Sequence, residues 1–455
     1  MTILFKRRNQ KLKYVRQNSS AAWQRYQRRY KKIAAKRRSY ARIPGYLLIL
    51  LIAVLLLKGG LYLFEGVLAD PGGKEVSEEA EVKSINRSEL RDLLDPADFI
   101  NPQDTVIRKK YGDLQYRFHT TLDPDLQKSV VSMLDRKWAR HIAIVVMDPE
   151  TGRILAMASH DKKDSGANPC LSAEFPAASL FKIIAAAAAI EACGFKPDRE
   201  ISFNGGKYTL YKSQLKDTQN KYTNRITLES AFAQSVNPVF GKIGIDHLGK
   251  EMLEKYAANF GFNREIGFDL PVDRSVAPIS EQSYNWAEVA CGFNRDTRMS
   301  PLHAAMLASS VIYNGRMVKP RLIDRVAADG KTVYSQKPES FLRPVSPHTS
   351  RLLKPLMRTS LTRGTARGAF SDARGRAMLE NYEIGGKTGS INYNPEHIRY
   401  DWFAGYARHK EMKKKLAVSV LVAHEKYIGT RASSYFREIV EKYFRQQLKT
   451  AELEK

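Results

Sequence analysis

The alternation of apolar and polar positions divides the chain into two groups of predicted strands with helices between them. Residues 141–148 and 153–159 are strand-like, and the residues at 149–152 predict the turn of a β-hairpin. Three further strand patterns occur near the C-terminus, at 382–392, 401–407 and 415–423.

Helical spacing, with apolar residues every three or four positions, occurs at 122–139, 178–193, 227–248, 250–260, 300–314 and 434–448. Strands at both ends of a helical section predict an α+β fold. The first and last strands would then pair in one antiparallel sheet of about five strands, with helical layers on both faces.

Residues 46–64 form a long apolar stretch that predicts a membrane-spanning helix. The run YLLILLIAVLLL at 46–57 is unbroken, and the pattern resumes at 61–64 after Lys58 and two glycines. At about 1.5 Å per residue this segment reaches about 28 Å, close to the hydrocarbon thickness of a bilayer. A buried core helix and a cleaved signal peptide are the alternatives, and the long polar segment before the apolar run disfavours the second.

Basic residues are concentrated before this predicted span. Fifteen of the 74 Lys and Arg residues lie in 1–43, which has no Asp or Glu, and they supply more than half of the net charge of +26. Such an arm could bind nucleic acid, but a basic flank before an apolar span fits the positive-inside rule. We therefore expect a cytoplasmic arm at 1–43, a transmembrane helix at 44–65, a linker or pedestal at 66–117 and an exported domain at 118–455. This predicts a single-pass protein of the inner (cytoplasmic) membrane with no nucleic-acid partner.

Ser179 and Lys182 form the first candidate catalytic pair. They lie three residues apart at the start of an apolar helix, which places both side chains on one helix face. Apolar surroundings lower the pKa of a lysine, and a neutral amine can accept a hydroxyl proton and so activate the serine as a nucleophile. The same spacing is common by chance, and a surface serine cap beside a surface lysine is the ordinary alternative.

Ser235 and Asn237 form a second candidate pair, 56 residues after Ser179 and directly before Pro238. A serine hydroxyl can transfer a proton, and an asparagine amide can bind the carbonyl of a peptide substrate. Both residue types are also frequent helix caps, so this pair is weak by itself.

The third motif follows two glycines in a strand pattern and consists of Lys387, Thr388 and Gly389. A lysine followed by a threonine would bind a substrate carboxylate, and Gly389 would allow another backbone to come close. The N–H groups of Ser179 and Ser390 would together form an oxyanion hole.

Signatures of nucleotide, metal or redox chemistry are weak in this sequence. A phosphate-binding loop around Lys387 is disfavoured because Asn381 stands where that motif requires glycine. The nine histidines have no HxH or HExxH spacing, and we expect neither a metal nor a cofactor. Cys170, Cys193 and Cys291 form no CxxC pair, and their odd number leaves at least one free.

In this order the three motifs resemble those of the transpeptidase domain of penicillin-binding proteins. The resemblance extends to 143–159, 300–320, 364–366 and 401–406, and it covers residues 118–448. It implies the antiparallel sheet between helical layers that this family has in common with serine β-lactamases.

The resemblance implies acyl transfer on peptidoglycan stem peptides. Ser179 would attack the carbonyl between two terminal D-Ala residues, with Lys182 as the general base, and the acyl-enzyme would pass to an amine of a neighbouring stem. β-Lactam antibiotics would acylate Ser179 as substrate mimics.

The remaining motif residues receive their roles from the same resemblance. Ser235 and Asn237 would act in proton transfer and substrate binding, and Lys387 with Thr388 would bind the terminal carboxylate. Stem peptides, β-lactams, the membrane and other wall-synthesis proteins are the expected partners.

The chain departs from the larger members of this family. About 55 residues separate the predicted span from the domain, too few for a glycosyltransferase domain, so we expect no polymerising activity. The long non-catalytic module of typical monofunctional members is also missing. The motifs leave open a D,D-carboxypeptidase or β-lactamase, in which water attacks the acyl-enzyme, and a membrane-bound sensor that β-lactams acylate.

Overall fold

The computed structural model describes residues 84–393 and 397–453, and the elements below lie in those ranges. The helices are α1 (Arg87–Leu93), α2 (Pro124–Ser132), α3 (Phe181–Cys193), α4 (Leu228–Ala233), α5 (Asn237–Lys242), α6 (Gly249–Asn259), α7 (Ser283–Cys291), α8 (Pro301–Ile312), α9 (Pro347–Thr362), α10 (Ala373–Asn381) and α11 (Ala432–Leu453). The strands are β1 (Val106–Tyr111), β2 (Leu114–Thr120), β3 (Ala139–Met147), β4 (Ile154–Asp161), β5 (Glu200–Phe203), β6 (Asn224–Thr227), β7 (Met317–Val318), β8 (Ile323–Ala328), β9 (Lys331–Ser335), β10 (Ser340–Leu342), β11 (Tyr382–Tyr393), β12 (Ile398–His409) and β13 (Lys415–His424).

The predicted basic arm and membrane span lie outside the described residues. Within the ranges that the structure describes, no helix is both long and apolar enough to cross a membrane.

A five-stranded sheet in the order β11-β12-β13-β3-β4 forms the centre of the domain, and every neighbouring pair is antiparallel. The β3–β4 hairpin forms at the predicted turn. The β13–β3 pairing, with Val418 opposite Val146, joins the C-terminal strands to the first hairpin. The predicted α+β class and five-stranded antiparallel sheet are therefore confirmed.

The two faces of this sheet bury different cores because side chains alternate along each strand. On β13, Leu421 packs into the core on one face and Val420 into the core on the other. Helix α8 lies across the first face, and α11 covers the second. The predicted helix at 434–448 thus has its expected place, with Phe436 and Val440 fully buried against the sheet.

Helix α3 is the most deeply enclosed element near the candidate serine. Every residue from Phe181 to Ile190 is buried. Five consecutive alanines, Ala185 to Ala189, present little side-chain bulk on any face, and α3 contacts α6, α7 and α9. A helix that is apolar all round must be surrounded by other elements, so the first turn of α3 has a fixed position.

Two predicted helices are shorter than expected. In the segment 122–139 only α2 is helical, and the last residue of the segment, Ala139, belongs to β3. The segment 227–248 is interrupted after α4, where Ser235 has a left-handed φ of 57°. Pro238 then occupies the first turn of α5, where its missing N–H costs nothing.

Three smaller sheets surround the central one: β1-β2-β8-β9, β5-β6 and β7-β10. The first sheet joins residues before 121 to residues after 320. Asp269, fully buried, fixes this junction by accepting hydrogen bonds from the N–H groups of Leu322 and Ile323 at 2.6 and 2.9 Å, and from Arg87.

Candidate active site

Ser179 lies in a short 3₁₀ turn, Ala178–Leu180, that leads directly into α3. Ala178 has a left-handed φ of 48°, which is uncommon for a residue with a side chain. This conformation turns Ser179 towards partial exposure while Ala178 and Leu180 are buried. Trp402, fully buried, donates from Nε1 to the carbonyl of Pro176 at 2.9 Å and so fixes the approach to the turn.

The side chain of Lys182 is fully buried and has three oxygen partners. Its Nζ lies 2.9 Å from Ser179 Oγ, 2.8 Å from Asn237 Oδ1 and 2.6 Å from the carbonyl oxygen of Cys291. Burial lowers the pKa of Lys182 to about 8, because an enclosed site disfavours the ammonium form. The first two motifs and the C-terminus of α7 therefore meet at one nitrogen.

This arrangement suits a general base. A neutral amine has two N–H bonds and one lone pair, whereas Asn237 Oδ1 and the Cys291 carbonyl can only accept. When these two oxygens take the two N–H bonds, the lone pair of Lys182 is left for the hydroxyl hydrogen of Ser179. The contact at 2.9 Å is within the reach needed for proton transfer.

The amide of Asn237 has one orientation that satisfies all its neighbours. Nδ2 donates to the carbonyl of Tyr208 at 3.0 Å, and Oδ1 faces Lys182. The opposite orientation would set NH₂ against the Lys182 donor and oxygen against the Tyr208 oxygen. The second N–H of Nδ2 could donate to another acceptor, and the role of Asn237 in substrate binding stays a prediction.

Ser235 and Lys387 form a second contact between a lysine and a hydroxyl. Lys387 Nζ donates to Ser235 Oγ at 3.0 Å and to the carbonyl of Thr388 at 2.8 Å. Burial lowers the pKa of Lys387 well below its usual range, and the charge of Lys182 lowers it further. Lys387 has no exposed surface, so in this arrangement it cannot contact a substrate carboxylate directly and could act on one only through a neighbour such as Ser235.

The hydroxyl of Thr388 is accessible from the surface, unlike the amino group of Lys387. The Thr388 hydroxyl hydrogen-bonds to the hydroxyl of Thr365. The backbone N–H of Thr365 donates to the carbonyl of Ala233 at 3.0 Å. Thr365 therefore joins the end of α4, just before Ser235, to the third motif.

Gly389 places β11 beside the serine turn. A Cβ at this position would lie 3.2 Å from Trp402 Cβ and 3.4 Å from Ala178 Cβ. The next residue, Ser390, pairs with Asp401 in the sheet and accepts a hydrogen bond from Arg399 at its hydroxyl. The oxyanion hole formed by the N–H groups of Ser179 and Ser390 stays a prediction, with its two residues on elements in close contact.

Several contributing groups were not predicted, and most of them are backbone atoms. The carbonyls of Cys291 and Tyr208 have no residue-type signature, so they could not be identified from the sequence. Gly292 follows the last residue of α7, a helix that was not predicted from the sequence. Thr365 lies in a segment that the family resemblance includes, but no role was predicted for it.

Comparisons with known proteins identify the family and the fold. The model of the family "Penicillin binding protein transpeptidase domain" matches residues 142–441. The chain belongs to this family.

Relatives in this family include penicillin-binding protein PbpB of Mycolicibacterium smegmatis, 28% identical over 313 residues, which are 63% of this chain and 47% of PbpB. Stage V sporulation protein D of Bacillus subtilis is 26% identical over 341 residues, 69% of this chain and 48% of that protein. The chain thus spans about half the length of these curated relatives.

Solved structures show the same fold. The crystal structure of PBPA from Mycobacterium tuberculosis has a TM-score of 0.58 at 22% identity and covers 71% of this chain and 80% of that one. The D,D-transpeptidase domain of a peptidoglycan glycosyltransferase from Eggerthella lenta has a TM-score of 0.61 at 23% identity, with 77% and 86% covered.

Proposed function

We propose that this protein is a serine D,D-transpeptidase that cross-links peptidoglycan stem peptides and is inhibited by β-lactams. The main support is the position of Lys182 Nζ, 2.9 Å from Ser179 Oγ with two further oxygens as acceptors. Relatives named peptidoglycan D,D-transpeptidase PbpA, from M. smegmatis and M. tuberculosis, also support it. M. tuberculosis penicillin-binding protein A has been solved as imipenem and penicillin G acyl-enzymes.

In the acylation step Lys182 takes the hydroxyl proton as Ser179 Oγ attacks the carbonyl of the penultimate D-Ala. The N–H groups of Ser179 and Ser390 stabilise the oxyanion that forms. The C–N bond then breaks, and the departing nitrogen takes the proton from Lys182. This leaves the donor peptide as an ester on Ser179 and releases the terminal D-Ala.

In the transfer step the amine of a second stem peptide attacks this ester. The amine gives a proton to Lys182, a new amide bond forms, and Ser179 Oγ leaves and recovers its proton. Because Lys182 begins and ends both half-reactions neutral, one residue serves as base and acid in turn. Attack by water in place of the amine would make the same site a carboxypeptidase.

Labelling with a fluorescent penicillin tests the proposal. We expect residues 66–455 to form a stable covalent label that disappears in Ser179→Ala and in Lys182→Ala, with circular dichroism to verify that both variants are folded. No label on folded wild-type protein would contradict the proposal. Rapid loss of the label would indicate a β-lactamase instead.

We further propose that residues 46–64 anchor the protein in the inner membrane with the arm at 1–43 in the cytoplasm. The apolar length of the segment and its basic flank support this topology. Basic residues near an anionic leaflet contribute about 1 kcal/mol each. Protease added outside intact spheroplasts should digest the catalytic domain and spare the arm, and cleavage within the arm would contradict the topology.

A further inference from the structure

The loop at 204–216 contacts the site through its backbone. The N–H of Asn237 donates to the carbonyl of Lys207 at 2.7 Å, and Asn237 Nδ2 donates to the carbonyl of Tyr208 at 3.0 Å. Two successive carbonyls of this loop therefore hold Asn237, the residue whose Oδ1 accepts from Lys182. The orientation of the Asn237 amide depends on where this loop lies.

Gln214 holds the loop together from inside. Its side chain is buried, and its Nε2 donates to the carbonyls of Asn204 and Gly206 at 3.0 and 3.1 Å. Its Oε1 accepts from the N–H of Tyr211 at 2.9 Å and from the hydroxyl of Thr209 at 3.1 Å. An amide has two N–H bonds and two acceptor positions, so all four are occupied within the loop.

The loop is also attached to its surroundings on either side of Tyr208. Lys207 Nζ donates to Gln234 at 2.7 Å, and the Tyr284 hydroxyl donates to the carbonyl of Leu210 at 2.7 Å. The side chains of Leu210 and Leu215 lie so close to α5 that a Cβ on Gly241 would come within 3 Å of both. These contacts fix the ends of the loop, while Gln214 fixes the turn that presents the Tyr208 carbonyl.

We propose that Gln214 is a positioning residue for acylation: it holds the Tyr208 carbonyl where it orients the Asn237 amide, and through that amide it aims the lone pair of Lys182 at Ser179. The inference rests on the proposed function. Gln214 bonds to Gly206 and Thr209, on either side of Tyr208. From the Tyr208 carbonyl, three successive contacts of 2.8 to 3.0 Å lead through Asn237 and Lys182 to Ser179.

Loss of this support should change both the rate and its dependence on pH. If the Asn237 amide rotates, Lys182 loses an acceptor that stabilises its ammonium form, so its pKa falls further. Its neutral form is then also less often directed at Ser179. The other titratable groups acting on this lysine, Lys387 and the Cys291 thiol, are not touched by the loop change.

The test is Gln214→Met, which keeps the length of the side chain and removes its four hydrogen bonds. The matched control is Gln127→Met, since Gln127 is also buried and exchanges two hydrogen bonds with the backbone of Met157, at 2.9 and 3.0 Å. Acylation by a fluorescent penicillin is followed from pH 6 to 10, with the melting temperature of each variant. We expect Gln214→Met to acylate at least fivefold more slowly at pH 8. The rise of its acylation rate with pH should have its midpoint at lower pH than in wild type. We expect Gln127→Met to lose similar thermal stability. Its acylation rate should stay within twofold of wild type, and the midpoint of its pH dependence should not change.

If wild type and Gln214→Met have equal acylation rates and equal pH midpoints, the inference is overturned and the proposed function is left intact. No acylation of wild type would overturn the proposed function and this inference with it. If Gln214→Met does not fold, Thr209→Val removes one of the four bonds from a partly exposed position. Thr209→Val should also slow acylation, by a smaller factor than Gln214→Met. An unchanged acylation rate and pH midpoint in that variant would also overturn the inference.

Discussion

Gly292 lies directly against the peptide bond that precedes Ser179. A Cβ on Gly292 would come 1.8 Å from the carbonyl oxygen of Ala178 and 3.0 Å from the nitrogen of Ser179. Gly292 also has a left-handed φ of 70° as the residue that ends α7. The preceding carbonyl, that of Cys291, accepts from Lys182. The end of one helix thus sets the position of both the nucleophile and its base.

We predict that Gly292→Ala nearly abolishes acylation. The new methyl group must move the Ala178 carbonyl, and a displacement of about 1 Å at a reacting group costs about 100-fold in rate. Gly194→Ala is the control, because Gly194 also ends a helix with positive φ, at 64°, and has open space around its Cβ. The control should lose about 1–2 kcal/mol of stability through its backbone conformation and label normally. Normal labelling of Gly292→Ala would show that the serine turn is not fixed by this contact.

We predict that the acylation rate rises with pH through the pKa of Lys182, about 8. The amine accepts the serine proton only when it is neutral, so the rate should fall about tenfold per unit below that pKa and level off above it. Because Lys387 is close enough to interact, the midpoint describes the coupled pair rather than one residue. Stopped-flow acylation by a chromogenic cephalosporin between pH 6 and 10 measures the profile.

Lys182→Arg, measured over the same pH range, is a second test of Lys182 as the base. A guanidinium stays protonated throughout this pH range, so the variant should fail to acylate even at pH 10. A rate independent of pH in wild type, or an active arginine variant, would exclude Lys182 as the base.

We predict that the lowered pKa of Lys182 also reduces stability at neutral pH. The folded pKa is about 8 against 10.5 for an ordinary lysine, a difference equivalent to about 3 kcal/mol. Below pH 8 the folded state must hold a buried ammonium and bears this cost in full. Between pH 8 and 10.5 the unfolded state binds more protons than the folded state, so stability rises with pH.

Urea unfolding of wild type and Lys182→Met at pH 7 and pH 10 tests this linkage. Groups that do not interact with Lys182 cancel in the comparison, and wild type should gain about 2–3 kcal/mol relative to the variant over that interval, with the change at the coupled Lys387 included. Lys196→Met, at an exposed position, should show no such difference. A parallel response in all three proteins would mean that Lys182 titrates normally in the folded state.

The strands of the central sheet were predictable because several of them are short runs rich in apolar residues. The first and last strands were expected to pair in one antiparallel sheet, and β3 pairs with β13 at the centre of the sheet. The motif residues were predictable for a chemical reason, since nucleophile, base and carboxylate-binding groups require particular side chains. Lys182 contacts both Ser179 and Asn237, and the roles assigned to these residues stay predictions.

What the sequence did not predict depends on the backbone. Ser235 reaches Lys387 because the chain breaks between α4 and α5 with a left-handed residue, and the helical spacing at 227–248 contains no signal for such a residue. The carbonyls of Tyr208 and Cys291 come to Asn237 and Lys182 through tertiary packing. Any residue has a carbonyl, so such partners have no signature in sequence.

The paired hydroxyls of Thr365 and Thr388 lead to a prediction about substrate recognition. Gly364 allows the segment to press against α4, since a Cβ there would come 2.3 Å from the carbonyl of Ala233. Thr365 is thereby fixed beside Thr388, and a hydrogen bond donated to Thr388 Oγ1 would direct the Thr388 hydrogen outward to a carboxylate. Thr365 should therefore strengthen carboxylate binding without touching the reacting carbonyl.

We predict that Thr365→Val lowers the second-order rate of acylation by penicillin about fivefold to tenfold, the effect of one hydrogen bond worth about 1 kcal/mol. The methyl ester of the same penicillin lacks the charge that Thr388 would recognise and should react more slowly than the acid. Its acylation rate should be nearly the same in wild type and in Thr365→Val. Thr362→Val, in the last turn of α9, controls for loss of a threonine hydroxyl nearby. Equal losses for the acid and the ester would mean that Thr365 supports the site as a whole and does not act on the carboxylate.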